Sequence, residues 1–351
     1  MRPSDGTPTA PRVSVLVPCC NLGQYLDEAV GSVLAQTYRD FEILVVDDGS
    51  TDPETQRIIE GFERPQTTVF RTGNRGLAGA RNFLLARARG EFVSALDADD
   101  RLHPEYLERT VAALDADPTL TFVSTRLQMF GEQEWTSPPG AQCDIETLLS
   151  DDTVVCSALV RRAAVLAVGA YDEAMPHQGD EDWDLWLTLV ERGYRGVILP
   201  DVLFFYRRRP GSMSVACTSG QAHLDLVEYL IRKHRASYDA HLMNVLRTKE
   251  DQIGEVRRTN MSLEGRIAGY LAPAVERKRA ELNRLRDALR QAKEHRGDLD
   301  GREIELAAVR AESLRAREEV SALRASWSWT LTAPLRRAYE LLHLDRLRSR
   351  P

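Results

Sequence analysis

Cysteine is scarce in this 351-residue chain. There are five, Cys19, Cys20, Cys143, Cys156 and Cys217, an odd number with no CxxC pair. That disfavours a disulfide framework or a zinc cluster and favours a reducing, cytoplasmic setting. Long apolar runs are missing as well. Nothing approaches the roughly 18–20 residues that span a bilayer, so any membrane contact is expected to be peripheral. The opening MRPSDGTPTAPR is polar and lacks the apolar core of a secretory signal, so residues 1–11 read as a disordered lead. An excess of basic charge is also absent: 46 Lys and Arg stand against 53 Asp and Glu, a formal net charge of −7. No nucleic-acid partner is expected on that balance.

What is present fits a soluble globular chain, 43% apolar and 28% charged, long enough for one large domain and a second unit. Charge is unevenly spread. From Met243 onward there are 23 basic and 17 acidic residues, a net of +6, which leaves −13 for the part before it. In the acidic part, strand and helix patterns alternate. VSVLVP (13–18), FEILVVDDGS (41–50), TTVFRT (67–72) and EFVSALD (91–97) read as strands. LDEAVGSVLAQ (26–36), DPETQRIIEGFE (52–63), GLAGARNFLLARAR (76–89) and PEYLERTVAALDA (104–116) read as the helices between them. The first strands are continuous apolar runs, as expected where both faces are buried. The pattern predicts an α/β fold with a doubly wound, mostly parallel sheet, in which ligands bind at the carboxyl ends of strands. Further on, 121–130 reads as a strand in a mixed portion, and GEQEWTSPPGAQC as loop. Residues 157–173 read as a short strand and a helix, 181–194 as a helix, 196–209 as a strand interrupted by proline, and 220–238 as one more helix.

Three groups of acids stand out, two of them at the carboxyl ends of strands and the third at the start of a helix. In VSALDADD (93–100), Asp97, Asp99 and Asp100 follow a buried strand. Like charges this close need a positive partner, and carboxylates two residues apart can converge on Mg²⁺ or Mn²⁺ together with a diphosphate. The same residues also read as an acidic loop before the helix at Pro104. Asp47 and Asp48 end the second strand, where an acceptor can read a ribose hydroxyl or a base N–H; Gly49 and Ser50 equally support a plain capped turn. Glu181, Asp182 and Asp184 open a helix. The helix dipole favours carboxylates there, and one of them can also serve as a general base.

Together VSVLVPCCNLGQYLDEAVGSVLAQTYRDFEILVVDDGSTD, NRGLAGARN, LDADD and EDWDLWLTLVERGY resemble the family-2 inverting glycosyltransferases of the GT-A fold, over roughly residues 12–215. The resemblance implies a GT-A domain, a nucleoside-diphosphate sugar donor, a divalent metal and a glycan or lipid-linked acceptor in bacterial surface-polysaccharide assembly. Residue by residue it implies Pro18 beside the nucleotide, Asp48 on the base and Asp97 near the ribose. It implies Asp99 as metal ligand, Arg81 as a base or phosphate contact, and Asp182 as catalytic base with Glu181 in support. Two departures stand out. Cys20 sits where the family commonly has a tyrosine that stacks on the base. Arg209, in YRRRPGSMS, sits where many members carry a histidine that can reach the metal. The QxxRW pattern of processive synthases is missing, which favours single additions. A nucleotidyltransferase would share the sheet and the metal but wants a glycine-rich basic loop after the first strand, which PCCNLGQYL lacks. A non-catalytic domain carried on an interaction coil is the remaining alternative.

The division read from sequence is a GT-A domain over 12–242, a helical or coiled-coil region over 243–325, and an amphipathic tail over 326–351. Leu282, Leu285 and Leu289 step at helical spacing, and Leu306, Val309, Ser313, Ala316, Val320 and Leu323 continue it in a second register. Pro273 and the surroundings of Gly297 and Gly301 are expected to break the region into pieces. In the tail, Trp327, Trp329, Leu331, Leu335, Tyr339, Leu341, Leu342 and Leu344 lie among five arginines. That face suits an anionic membrane surface, or docking on the protein's own core or a partner helix. The helical region offers a route to a homo-oligomer.

Overall fold

The structure, a computed structural model, describes residues 10–209, 211–213, 220–295 and 308–319. The chain divides into two compact units, Met1–Arg257 and Arg258–Pro351. In the first unit β1 (Val13–Cys19), α1 (Gly23–Leu34), β2 (Phe41–Asp48), α2 (Pro53–Glu60), β3 (Thr67–Thr72), α3 (Gly76–Leu85) and β4 (Phe92–Ala95) follow the alternation the sequence predicts. Then come β5 (Arg101–Leu102), α4 (Tyr106–Ala116), β6 (Leu120–Gly131), β7 (Trp135–Thr136), α5 (Ile145–Ser150), β8 (Leu159–Arg161), α6 (Arg162–Ala167), α7 (Glu181–Glu191) and β9 (Arg195–Arg208). Helices α8 (Gly220–Lys233) and α9 (Arg235–His295) complete the labelled elements.

The strands form one nine-stranded mixed sheet in the order β3-β2-β1-β4-β8-β6-β9-β5, with β7 on β6. β1 runs parallel to β2 and β4, and β2 to β3, while β8 runs antiparallel to both β4 and β6. Both faces are covered, which is why β1 and β2 are buried along their whole length and mostly apolar. Alternate residues of β1 serve opposite layers. Val13, Val15 and Val17 pack with Leu26, Val30 and Val33 of α1. Leu16 enters the other layer with Leu84 of α3 and Trp186 of α7. Pro200 has no N–H for the ladder, and the β6–β9 register shifts between the pairs Thr125↔Leu199 and Arg126↔Val202 on either side of it.

Register sets the carboxyl edge. Cys19 stands opposite Asp47, and Leu16 opposite Ala95, so the ends of β1, β2 and β4 lie side by side. Asn21 laces two of them: its Oδ1 accepts from the N–H groups of Thr51 and Asp52, both at 2.8 Å. Gly49, at φ +70°, turns the chain after Asp48, and a Cβ there would lie 2.5 Å from the backbone nitrogen of Asn74. Only glycine fits that approach.

Some features differ from the sequence reading. The stretch read as loop after Gly131 contains the two-residue strand β7. The short helix α5 was not anticipated; Asp144 caps it, accepting from Thr147 N at 2.9 Å. Pro273 does not end a helix: α9 continues through it, although proline there forfeits a backbone hydrogen bond. Leu282, Leu285 and Leu289 are 53%, 45% and 39% exposed. Residues 308–319 are helical. Among the described residues no helix is long and apolar enough to cross a membrane. Leu306, Val320, Leu323, Gly297, Gly301 and Cys217, the tail over 326–351 and most of the N-terminal lead lie outside the described residues.

The helix predicted over 220–238 is instead two helices parted at His234, whose ring is buried. Its Nε2 lies 3.0 Å from Asp184 Oδ1 and its Nδ1 2.8 Å from Glu191 Oε2, so it reaches both ends of α7. Lys233 adds contacts to Asp184 and Asp172 at 2.8 and 2.5 Å. Burial alone would lower the His234 pKa, but the hydrogen bonds to Asp184 and Glu191 outweigh it and raise it to about 9. A folded-state pKa above the unfolded one gives stability that is complete below about 6.5 and fades as pH rises through about 9. The protein is therefore expected to lose about 2 kcal/mol of unfolding free energy between pH 7 and pH 9. Urea denaturation at the two pH values measures this, and His234→Gln should flatten the difference.

Candidate active site

The acidic turn after β4 is gripped by arginines from two sides. From α3 comes Arg81, 1% exposed. Its Nη2 donates to Asp97 Oδ1 at 2.9 Å and its Nη1 to Glu181 Oε1 at 2.5 Å. The guanidinium carbon also lies 5.4 Å from the centre of the Tyr171 ring. From β9, the backbone N–H of Arg207 donates to Asp100 Oδ1 at 2.7 Å, and its Nε donates to the carbonyl of Asp99 at 2.8 Å. Arg209 Nε donates to Asp99 Oδ2 at 2.7 Å. Arg207 itself sits over the rings of Tyr25 and Phe130 and pairs with Glu28. The repulsion inherent in three neighbouring aspartates is met by protein cations fixed on separate elements.

The start of α7 is built to present carboxylates. Asp180 precedes it in the left-handed region, at φ +60°, and gives the helix no side-chain cap. Glu181 Oε2 instead turns back to accept from Gly179 N at 3.1 Å, while its other oxygen holds Arg81. Asp182 is half-buried, and its Oδ1 accepts from Trp183 N at 3.0 Å. Trp183 anchors the turn by donating its Nε1–H to the carbonyl of Leu148 at 2.7 Å, so the unanticipated α5 supports this helix start.

The acids here hold their protons more tightly than usual. Burial pushes Glu181 up to about 7, against the opposing pull of Arg81. Burial also raises Asp182, with Arg81 lowering it and Asp97 adding to the rise. Asp180 reaches about 6 through burial and the charge of Asp182. Asp99 is raised by burial in spite of Arg209, and Asp100 well above the carboxylate range by burial and by Asp97 and Asp99.

Of the residues singled out in the sequence, Arg81, Asp97 and Glu181 form one connected group, and Asp182 follows Glu181 in the chain. Asp99 lies in the same turn, tied to Arg209. Asp48 stands further along the edge, buried, with Oδ1 accepting from Arg75 N at 2.9 Å and from Thr72 Oγ1 at 3.2 Å. Cys20 links toward it, 3.7 Å from Asn74 Nδ2. Pro18 is buried within β1, opposite Val46. Arg81, read from the resemblance as a base or phosphate contact, has two of its three nitrogens on carboxylates, and the third, Nε, is buried without a partner. Sequence reasoning passed over Arg207 and Cys156. Cys156 offers a sulfur that lies, with carboxylate oxygens of Asp97 and Asp100, in a group whose atoms are within 4.8 Å of one another. A single cysteine more than fifty positions from its neighbours leaves no local signal.

Residues 14–156 match the family described as Glycosyl transferase family 2. Among curated proteins, an uncharacterised protein of Sinorhizobium fredii is 30% identical over 59% of this chain and 23% of its own length. The putative glycosyltransferase EpsE of Bacillus subtilis is 29% identical over 57% of this chain and 74% of its own. An Escherichia coli protein described as UDP-Glc:alpha-D-GlcNAc-diphosphoundecaprenol beta-1,3-glucosyltransferase WfaP is 26% identical over 58% and 79%. The chain spans under a quarter of the first of these. Among solved structures, S. aureus TarS 1–349 in complex with UDP-GlcNAc superposes with a TM-score of 0.54 at 21% identity, covering 64% of this chain and 66% of that one. The sheet is thus of the GT-A-like kind.

Removing one partner of a buried ion pair strands the others. Arg81→Met is expected to cost roughly 3 kcal/mol of stability, and adding Glu181→Gln should recover part of that. Chemical denaturation of both variants measures it; losses that simply add would show that the two side chains are uncoupled.

Proposed function

We propose that this chain, whose residues 14–156 are a glycosyl transferase family 2 domain, moves a sugar from a nucleoside-diphosphate sugar to a hydroxyl of a glycan or lipid-linked acceptor in cell-surface polysaccharide synthesis. The observation that carries this reading is the meeting of β4, α3 and α7 in one cluster: Arg81 joins Asp97, at a strand's carboxyl end, to Glu181, which precedes Asp182 in the chain. The names of EpsE and WfaP support the reaction class, and the nucleotide sugar named with TarS suits the donor.

In this reading Pro18, Asp48 and Asp97 line the nucleotide side, with Arg81 holding Asp97 in place. Asp182 is the base. It takes the proton of the acceptor hydroxyl as that oxygen attacks the anomeric carbon from the face opposite the leaving diphosphate, so configuration inverts. Its raised pKa makes it a stronger base than a solvated aspartate. Glu181, locked to Arg81, fixes the start of α7. The donor set also fits a divalent cation, Mn²⁺ or Mg²⁺. Asp97, Asp99 and Asp100 offer oxygen ligands, and Asp100 Oδ2 is buried with no partner. Such a cation, when bound, would offset charge on the departing diphosphate. Arg209, on Asp99, places a fixed positive charge at the same turn. The domain over 12–242 carries the chemistry, at the cytoplasmic face of the membrane. The helical region over 243–325 serves self-association as a coiled coil, and the tail over 326–351 peripheral membrane contact.

Turnover of UDP-, GDP- and dTDP-sugars tests the reading, and release of the nucleoside diphosphate with none of them would overturn it. Asp182→Asn should bind donor as the wild type does while transfer falls roughly 10²–10⁴-fold, the range of general-base catalysis. Donor titration beside a transfer assay separates the two effects, and full transfer by the variant would remove Asp182 from the base role.

A further inference from the structure

We propose that Cys156 joins Asp97 and Asp100 in a mixed sulfur and oxygen site for a borderline or soft divalent cation. Atoms of these three side chains lie within 4.8 Å of one another. They come from two separate segments: the turn after β4, and the stretch between α5 and β8. The sheet brings those segments together because β4 and β8 are neighbours, with Phe92 opposite Arg161 and Val93 opposite Val160.

A second observation points to a ligand. Asp100 is 1% exposed, and among the described residues its Oδ2 has no hydrogen-bond partner. Its Oδ1 is fixed by the N–H of Arg207 at 2.7 Å, so the carboxylate is oriented while half of it goes unused. An unsatisfied buried oxygen of that kind costs free energy unless something fills its place. Asp99 differs: its Oδ2 is engaged by Arg209. Asp97 likewise gives its Oδ1 to Arg81, but Asp97, Asp100 and Cys156 are the three whose donor atoms come together.

Sulfur changes which cation is preferred. Mg²⁺ takes oxygen almost exclusively, whereas thiolate ligands favour Zn²⁺ and other softer ions. Cys156 binds by releasing its thiol proton to solvent as the sulfur–metal bond forms, and Asp100 likewise gives up any proton its carboxyl holds as the oxygen–metal bond forms. What the bound cation then does rests on the glycosyltransfer reading; the binding itself does not, and it is tested without donor.

The probe is Cd²⁺ alone, titrated into the full chain and followed by the ultraviolet sulfur-to-cadmium charge-transfer band. The wild type should develop the band, Cys20→Ser should keep it, and Cys156→Ser should lose it. Asp100→Asn should bind Cd²⁺ at least tenfold more weakly, and Mg²⁺ should compete poorly. In the wild type, Cd²⁺ should also protect Cys156 from iodoacetamide, read by peptide mass spectrometry, which needs no variant to fold. A band unchanged in Cys156→Ser, or Cys156 alkylated equally with and without Cd²⁺, overturns the site. A wild type that transfers sugar without showing the band overturns the site and spares the glycosyltransfer reading; a band without transfer does the reverse.

Discussion

A single buried guanidinium organises the carboxyl edge of the sheet beside the start of α7. Arg81 is one of the largest fully buried side chains, and it can be so only because Asp97 and Glu181 supply opposite charge at hydrogen-bond distance. A buried ion pair of this kind contributes little net stability, since desolvation offsets most of the attraction; its effect is to make alternatives costly. Any arrangement that moves α7 away from the end of β4 leaves an uncompensated charge in the interior. The relative placement of residues 81, 97 and 181, far apart in the chain, is thereby held to one solution.

The same logic explains how a strand can run into three aspartates. Arg81 takes Asp97, Arg209 takes Asp99, and the backbone of Arg207 takes Asp100. Even so, Asp99, Asp100, Glu181 and Asp182 all keep pKa values above their ordinary ones, because burial outweighs the arginines. In the proposed reaction that burial is useful twice. It favours a cation at the turn, and it makes Asp182 more basic than a solvated aspartate.

Much of the fold was legible because its signals are local. β3 falls on 67–72 as read, and β1, β2 and α2 differ only at their ends. Continuous apolar runs mark strands covered on both faces, and acids after them mark the carboxyl edge. What escaped depends on distant partners. The break at His234 looks helical in sequence and becomes a junction only because Asp184 and Glu191 capture the ring. Cys156 is an ordinary small residue until β8 is laid beside β4. Arg207 reads as part of a basic strand end, while the acids it bonds, Asp100, Asp99 and Glu28, lie more than a hundred positions earlier. Arg81 was recognised within ARN, but no spacing announces that its guanidinium is committed to two carboxylates.

Helix α7 is then held by charge along its length. Glu181 at its first turn is fixed by Arg81, Asp184 one turn on is shared by Lys233 and His234, and Glu191 at its end takes the other nitrogen of His234. Between these anchors Trp183, Leu185, Trp186, Leu187 and Leu189 are buried. Among the described residues Asp182 is the acid of the first turn without an ion pair, and its Oδ1 accepts from the N–H of Trp183. A base needs a fixed position and an unoccupied oxygen. If Asp182 is the base, as proposed, clamping its neighbours rather than Asp182 itself gives the first without losing the second. In that reading the ion pairs around α7 serve to position Asp182, with their modest contribution to stability as a consequence.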